Sequence, residues 1–91
     1  MTLTARQRER ILQLLHNSDA ELDEAHTLID MMQNGELKYL ESRMHSAQET
    51  ITYHEGIKGG IAYMLSIMEL WIREDEDGNA HFYDKNGNIA E

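Results

Sequence analysis

The sequence predicts a mainly α-helical fold: two long antiparallel helices in a helical bundle, followed by a small C-terminal β-hairpin. Three observations carry this reading. Apolar residues recur at alternating three- and four-residue intervals over most of the chain, the seam pattern of one helix lying along another. No proline interrupts the pattern. The last stretch, "REDEDGNAHFYDKNGNIAE", breaks it and carries the turn dipeptides Asp77-Gly78 and Asn86-Gly87. The 91 residues are read as one domain, helical over residues 4–73 with a C-terminal tail over 74–91.

The first helix is expected to begin near Thr4, because Thr4 and Gln7 have capping-box spacing. Its seam runs Ile11, Leu15, Ser18, Leu22, Ala25, Ile29, Met32. Asn17-Ser18 could interrupt it, since Ser18 and Glu21 make a second capping-box pair, but the unbroken seam favours one helix. Asn34-Gly35 then supplies a stop, because both residues tolerate the left-handed conformation.

The second helix is predicted from Glu36 to residue 73, about 57 Å at the helical rise. Its seam is Leu37, Leu40, Met44, Ala47, Ile51, His54, Lys58, Ile61, Leu65, Met68, Ile72. The count passes through "HEGIKGG" (His54 to Gly60) without resetting, which favours continuity. The competing arrangement breaks the helix near residues 56–60 and makes a three-helix monomer. In the continuous helix, Gly56 and Gly60 would let another backbone come close, at about 1 kcal/mol of helix propensity each. His54 and Lys58 are polar at seam positions, where such residues set register, or else they line a gap at a bend. Beyond, a short hairpin within residues 73–90 is expected; alone it is marginal in water and must dock. No internal repeat or low-complexity linker is evident.

Two helices sharing one seam leave most of their surface wet, and small chains have limited cores. After Gly60 the apolar face widens. Ile57, Gly60, Ile61, Met64, Leu65, Met68, Trp71 and Ile72 are therefore expected to form an oligomer interface, with two hairpins pairing into a four-helix bundle as a homodimer.

Composition narrows function. Net charge is −9, from 17 acidic and 8 basic residues, which argues against direct nucleic-acid binding. Arg6, Arg8 and Arg10 cluster near the N-terminus and read as a solvated helix face rather than a phosphate contact. The chain has no cysteine, and hence neither a disulfide framework nor a Cys-based metal site. No apolar run approaches a membrane span, and the first residues lack a signal-peptide core, so a soluble protein of the cytoplasm is expected.

Candidate chemistry is sparse. Asp23 and His26 stand at i,i+3 and Glu41 and His45 at i,i+4, but a di-iron bundle needs two Glu-x-x-His pairs and two further glutamates. His26 is expected to be a partly buried, hydrogen-bonded histidine. Glu21-x-x-Glu24 matches the four-letter magnesium motif of helical pyrophosphatases, without an evident second acidic motif. Calcium loops ending at Gly78 or Gly87 would place Arg73 or Phe82 where a carboxylate is required. "GIKGG" lacks P-loop spacing, and no serine sits in a nucleophile elbow.

In size, charge and absence of catalytic motifs the chain resembles small acidic proteins of phages and mobile elements, a class that includes inhibitors of host enzymes and defence systems. That resemblance implies host cytoplasm for a phage-encoded chain. The resulting expectation is a non-enzymatic interaction protein without a cofactor. Asp19, Asp23, Asp30 and the run Glu74, Asp75, Glu76, Asp77 would meet a basic partner surface. The alternatives are a metal-dependent helical enzyme using Glu21, Asp23, Glu24 and His26, or an assembly chaperone.

Overall fold

A computed structural model describes residues 3–91. In chain order it contains helix α1 (Ala5–Gln33), helix α2 (Glu41–Ile67), strand β1 (Trp71–Glu74) and strand β2 (Ala80–Tyr83). The chain divides into two compact units, Leu15–Lys58 and the combination of Met1–Leu14 with Gly59–Glu91.

α1 starts where its cap places it. The Thr4 N–H donates to Gln7 Oε1 at 2.8 Å, and the Gln7 N–H donates to Thr4 Oγ1 at 3.1 Å. This reciprocal pair satisfies two donors that the first helical turn otherwise leaves open. The helix runs unbroken through Asn17-Ser18. It ends at Gln33, and in the turn that follows Gly35 takes φ +78°, which suits a residue without Cβ.

Within the unit Leu15–Lys58 the predicted seam is the packed face. Ser18, Leu22, Ala25 and Met32 of α1 are buried, as is Ala47 of α2, while Met44, Ile51, His54 and Lys58 are half-buried. The helices are antiparallel here: Ser18 meets His54, while Ala25 and Leu28 share a groove with Ala47 and Thr50. Two polar pairs span the seam. Ser18 Oγ lies 3.0 Å from His54 Nδ1, with Ser18 only 2% exposed, and the Lys58 ammonium donates to the Asp19 carboxylate. The polar seam residues of α2 thus have partners on α1 instead of lining a gap.

Both boundaries of α2 differ from expectation, while its continuity does not. It begins at Glu41, not Glu36, because the Leu37 N–H turns back to the Met31 carbonyl at 3.0 Å and residues 36–40 form the connection. It continues through Gly56, Gly59 and Gly60, so the three-helix break does not occur. A Cβ built on any of these glycines meets nothing within 4 Å, so no backbone of this chain approaches there. Finally, α2 stops at Ile67 rather than residue 73. The Leu70 N–H donates to the Leu65 carbonyl at 2.9 Å and the Glu69 N–H to the Ser66 carbonyl at 3.1 Å. With φ +56° at Glu69, this is a Schellman stop whose left-handed residue is a glutamate. Leu65 and Leu70, the positions that such a stop brings into apolar contact, are both buried.

Trp71 and Ile72, read above as helical, therefore open strand β1. β1 and β2 are antiparallel, pairing Trp71 with Tyr83, Ile72 with Phe82, Arg73 with His81 and Glu74 with Ala80. Alternation puts Ile72 and Phe82 on one face. Phe82 is fully buried and, with Ile11, Leu65 and Leu70, makes the core of the second unit.

Ser18→Ala is expected to destabilise the chain by about 1 kcal/mol, because His54 loses its partner, whereas Ser18→Ala with His54→Leu returns close to the parent. Urea unfolding followed by circular dichroism checks this; an unchanged midpoint in the single variant would show that the pair does not hold the seam. Two substitutions of opposite sense should each stabilise: Glu69→Gly by about 1 kcal/mol, through relief of the left-handed residue, and Gly56→Ala by about 0.5–1 kcal/mol, through helix propensity. Thermal midpoints of the two variants read both effects.

Candidate functional site

The exposed face of the hairpin concentrates the most varied chemistry. Trp71 and Tyr83 are cross-strand partners on it, as are Arg73 and His81. Past the strand ends, Lys85 Nζ lies 3.4 Å from Glu69 Oε2, extending the same ladder by one exposed ion pair. Trp71, Arg73, Tyr83, Lys85 and Asn86 line a shallow concavity of about 340 Å³. Trp71 is 48% exposed, a large ring left half in water. The concavity thus offers aromatic surface bordered by two cations and by Asp84.

The turns that hold this face are built alike. Asp75 Oδ1 accepts from the Asp77 and Asn79 N–H groups, both at 2.9 Å. Asp84 Oδ1 accepts from the Asn86 and Asn88 N–H groups at 2.9 and 3.0 Å. Gly78 and Gly87 both have φ +82°. The motif Asp-x-Asp/Asn-Gly-Asn therefore occurs twice at a nine-residue spacing, an internal repeat overlooked in the sequence because only its Gly dipeptides were read as signals. After the second turn the chain returns along β2: Ile89 bridges to Tyr83, and the Ala90 N–H donates to the Phe82 carbonyl at 2.8 Å. The Phe82 N–H is taken by Glu91 Oε1 at 2.9 Å.

His81 stands between two carboxylates, with Nε2 2.8 Å from Asp75 Oδ2 and Nδ1 3.3 Å from Glu91 Oε1. Its hydrogen bond to Asp75, then that to Glu91, raises its pKa above the usual histidine value. The Asp75 pKa is lowered, first by the Asn79 N–H and then by His81. The Glu91 pKa is lowered chiefly by the Phe82 N–H.

The anticipated interface residues separate into two sets. Leu65 is buried, and Ile57, Ile61, Met68 and Ile72 are half-buried, while Gly60, Met64 and Trp71 are exposed. The large apolar side chains that α2 leaves most exposed in this unit are Tyr63 and Ile67, at 72% and 68% against 38% for Met64, and together with Gly60 they form a stripe at helical spacing. Sequence reasoning missed them because residues 61–68 are apolar on several sides, so periodicity there does not say which side faces the core.

Of the acidic positions, Asp23, Asp30, Glu74, Glu76 and Asp77 are exposed, Asp19 is engaged by Lys58, and Asp75 is consumed by its turn and His81. His26 is exposed, not partly buried as expected. His45 pairs with Glu49 at 2.7 Å rather than with Glu41. Glu21 and Glu24 line a groove of about 160 Å³ that Arg43 shares, a cation where a metal site would need more carboxylate. Among the described residues, no three His, Asp or Glu side chains come together as a metal-ligand set. No helix among them is long and apolar enough to cross a membrane.

Comparisons with protein-family models, with curated proteins and with solved structures gave no match.

The hairpin should be most stable from about pH 4.5 to about pH 6.5. The raised His81 pKa contributes stability that is complete below the ordinary histidine value and lost as pH rises through the higher folded value. The lowered Asp75 and Glu91 pKa values contribute stability present above the ordinary carboxyl range and lost as pH falls through the lower folded values. Fluorescence of Trp71, the single tryptophan, reports the transition. In His81→Gln the loss on the alkaline side should disappear.

Proposed function

We propose that the chain is a non-enzymatic helical interaction module: a small acidic regulator or inhibitor of a partner protein that self-associates as a dimer. The observation that carries this reading is the exposure of Tyr63, Ile67 and Trp71 in one unit of a small chain. Tyr63 and Ile67 stand one turn apart on α2, and neighbouring exposed large apolar side chains mark a place where another molecule docks. Tyr and Trp are the side chains such interfaces favour, since they supply contact area for little conformational entropy.

Charge supplies the second half of the reading. Asp23 and Asp30 lie exposed along α1, and Glu74, Glu76 and Asp77 crowd one turn. A basic partner surface would be steered toward these groups, and binding would weaken as salt screens them. The Asp75 carboxylate serves the turn, so it supports this surface without contributing a free charge.

Gel filtration with light scattering is expected to show a dimer for the parent chain. A Tyr63→Arg, Ile67→Glu variant should run as a monomer with an unchanged circular dichroism spectrum. A parent chain that stays monomeric at every concentration would remove the self-association. For any basic partner, affinity should fall with rising salt and fall further in Asp23→Asn, Asp30→Asn; salt-independent binding would remove the acidic surface from the reading.

A further inference from the structure

The three N-terminal arginines do not act as one solvated face. The Arg8 side chain turns inward, and its Nη1 donates to the Leu3 carbonyl at 2.9 Å. Arg6 and Arg10 are exposed and lie on the rim of a groove of about 560 Å³ floored by Leu3, Ile11 and Met64. The groove belongs wholly to the unit formed by the N-terminal residues and the segment after Gly59. Thr4 and Gln7 also border it, but their side chains are tied to each other in the helix cap. Arg10 has a contact to Gln13 at 3.3 Å, and neither Arg6 nor Arg10 takes part in an ion pair among the described residues. In a chain with 17 acidic residues, two guanidiniums at an apolar groove stand without a carboxylate.

We infer that this groove docks an acidic amphipathic segment of a partner protein. Its apolar side chains would lie on Leu3, Ile11 and Met64, and its carboxylates would meet Arg6 and Arg10. Charge complementarity selects this occupant. Arginine binds carboxylate through two parallel N–H bonds, which fixes orientation as well as sign. Arg6 and Arg10 are four residues apart on a helix, so their stems are separated by about 6 Å. A partner helix presents carboxylates at the same separation when they stand three or four residues apart, beside an apolar stripe of the same period. The groove therefore reads a pattern, acidic pairs flanking an apolar stripe, and not negative charge in general. A basic segment would place like charges against both guanidiniums.

This deepens the interaction-module reading and rests on it, but it uses a surface other than Tyr63, Ile67 and Trp71, so either can fail alone. The test is fluorescence anisotropy of a labelled helical peptide with a leucine stripe flanked by glutamates four residues apart, titrated with the full chain at physiological salt. Saturable binding is expected. Arg6→Glu with Arg10→Glu should weaken it at least about tenfold, and Met64→Glu should weaken it similarly, with circular dichroism unchanged in both. A peptide with lysine in place of each glutamate should not displace the glutamate peptide, and any binding it shows at the acidic faces should not be weakened by the arginine reversal. Displacement by the lysine peptide, or affinity of the glutamate peptide indifferent to the arginine reversal, would overturn the inference. So would light scattering that shows the same reversal dissolving a dimer of the chain, since the occupant would then be a second copy. Phosphatidylserine vesicles that bind the chain through Arg6 and Arg10 when the peptide does not would assign the groove to a membrane surface and overturn it as well.

Discussion

In the unit Leu15–Lys58, everything depends on the alignment of α1 against α2, and the contact that specifies it is polar. An apolar seam of leucine, alanine, isoleucine and methionine tolerates slippage, because one aliphatic contact resembles the next. A buried serine hydroxyl facing a histidine ring nitrogen does not. Sliding the helices by one turn would leave Ser18 buried without a partner, and such a group carries a desolvation penalty of about 1–3 kcal/mol. The Lys58–Asp19 pair adds a second point of registry one turn further along α2, but it is exposed and weak by comparison. With those two points held, Ala25 and Ala47 fall on facing positions, where small side chains let the helices approach.

The other unit uses a different device. There a helix must give way to a strand within three residues, and no glycine or asparagine is present to turn the chain. Glu69 adopts the left-handed conformation itself, and burial of Leu65 and Leu70 offsets the strain. From there the hairpin is held by side-chain carboxylates acting as backbone partners. Asp75 and Asp84 close the two turns, and Glu91 takes the Phe82 N–H that would otherwise face an open edge. Two carboxylates thus close the turns, and one does the work that a further strand does in a larger sheet. One of them shares His81 with another, so the order of this region is tied to protonation.

That economy bears on function. The acids with structural duties, Asp19, Asp75, Asp84 and Glu91, are distinct from those that remain exposed, Asp23, Asp30, Glu74, Glu76 and Asp77. The arginines separate in the same way: Arg8 braces the N-terminal end, while Arg6 and Arg10 face outward. A surface with an aromatic and aliphatic stripe, an acidic turn and a basic apolar groove has several faces of differing character. Each of these faces carries its own chemistry.

What the sequence alone determined is the local and periodic part. Thr4 and Gln7 specify the start of α1, because a cap is made within one turn. Asn34-Gly35 specifies its end. The three-four alternation specified which residues of both helices turn inward, and it passed correctly through the glycines at 56–60, since helical phase is a property of the continuous chain. The dipeptides Asp77-Gly78 and Asn86-Gly87 specified both C-terminal turns. Tertiary structure decided what periodicity cannot reach. Where α2 stops was illegible, because Met68, Trp71 and Ile72 continue the helical count and the stop is a glutamate whose conformation only the burial of Leu70 selects. The partners of His54 and Lys58 lie 36 and 39 residues away along the chain, at a distance that no local pattern spans. The exposure of Tyr63 and Ile67 was illegible for a related reason: on a helix apolar on several sides, what lies opposite each side, and not its composition, decides which becomes core and which becomes surface.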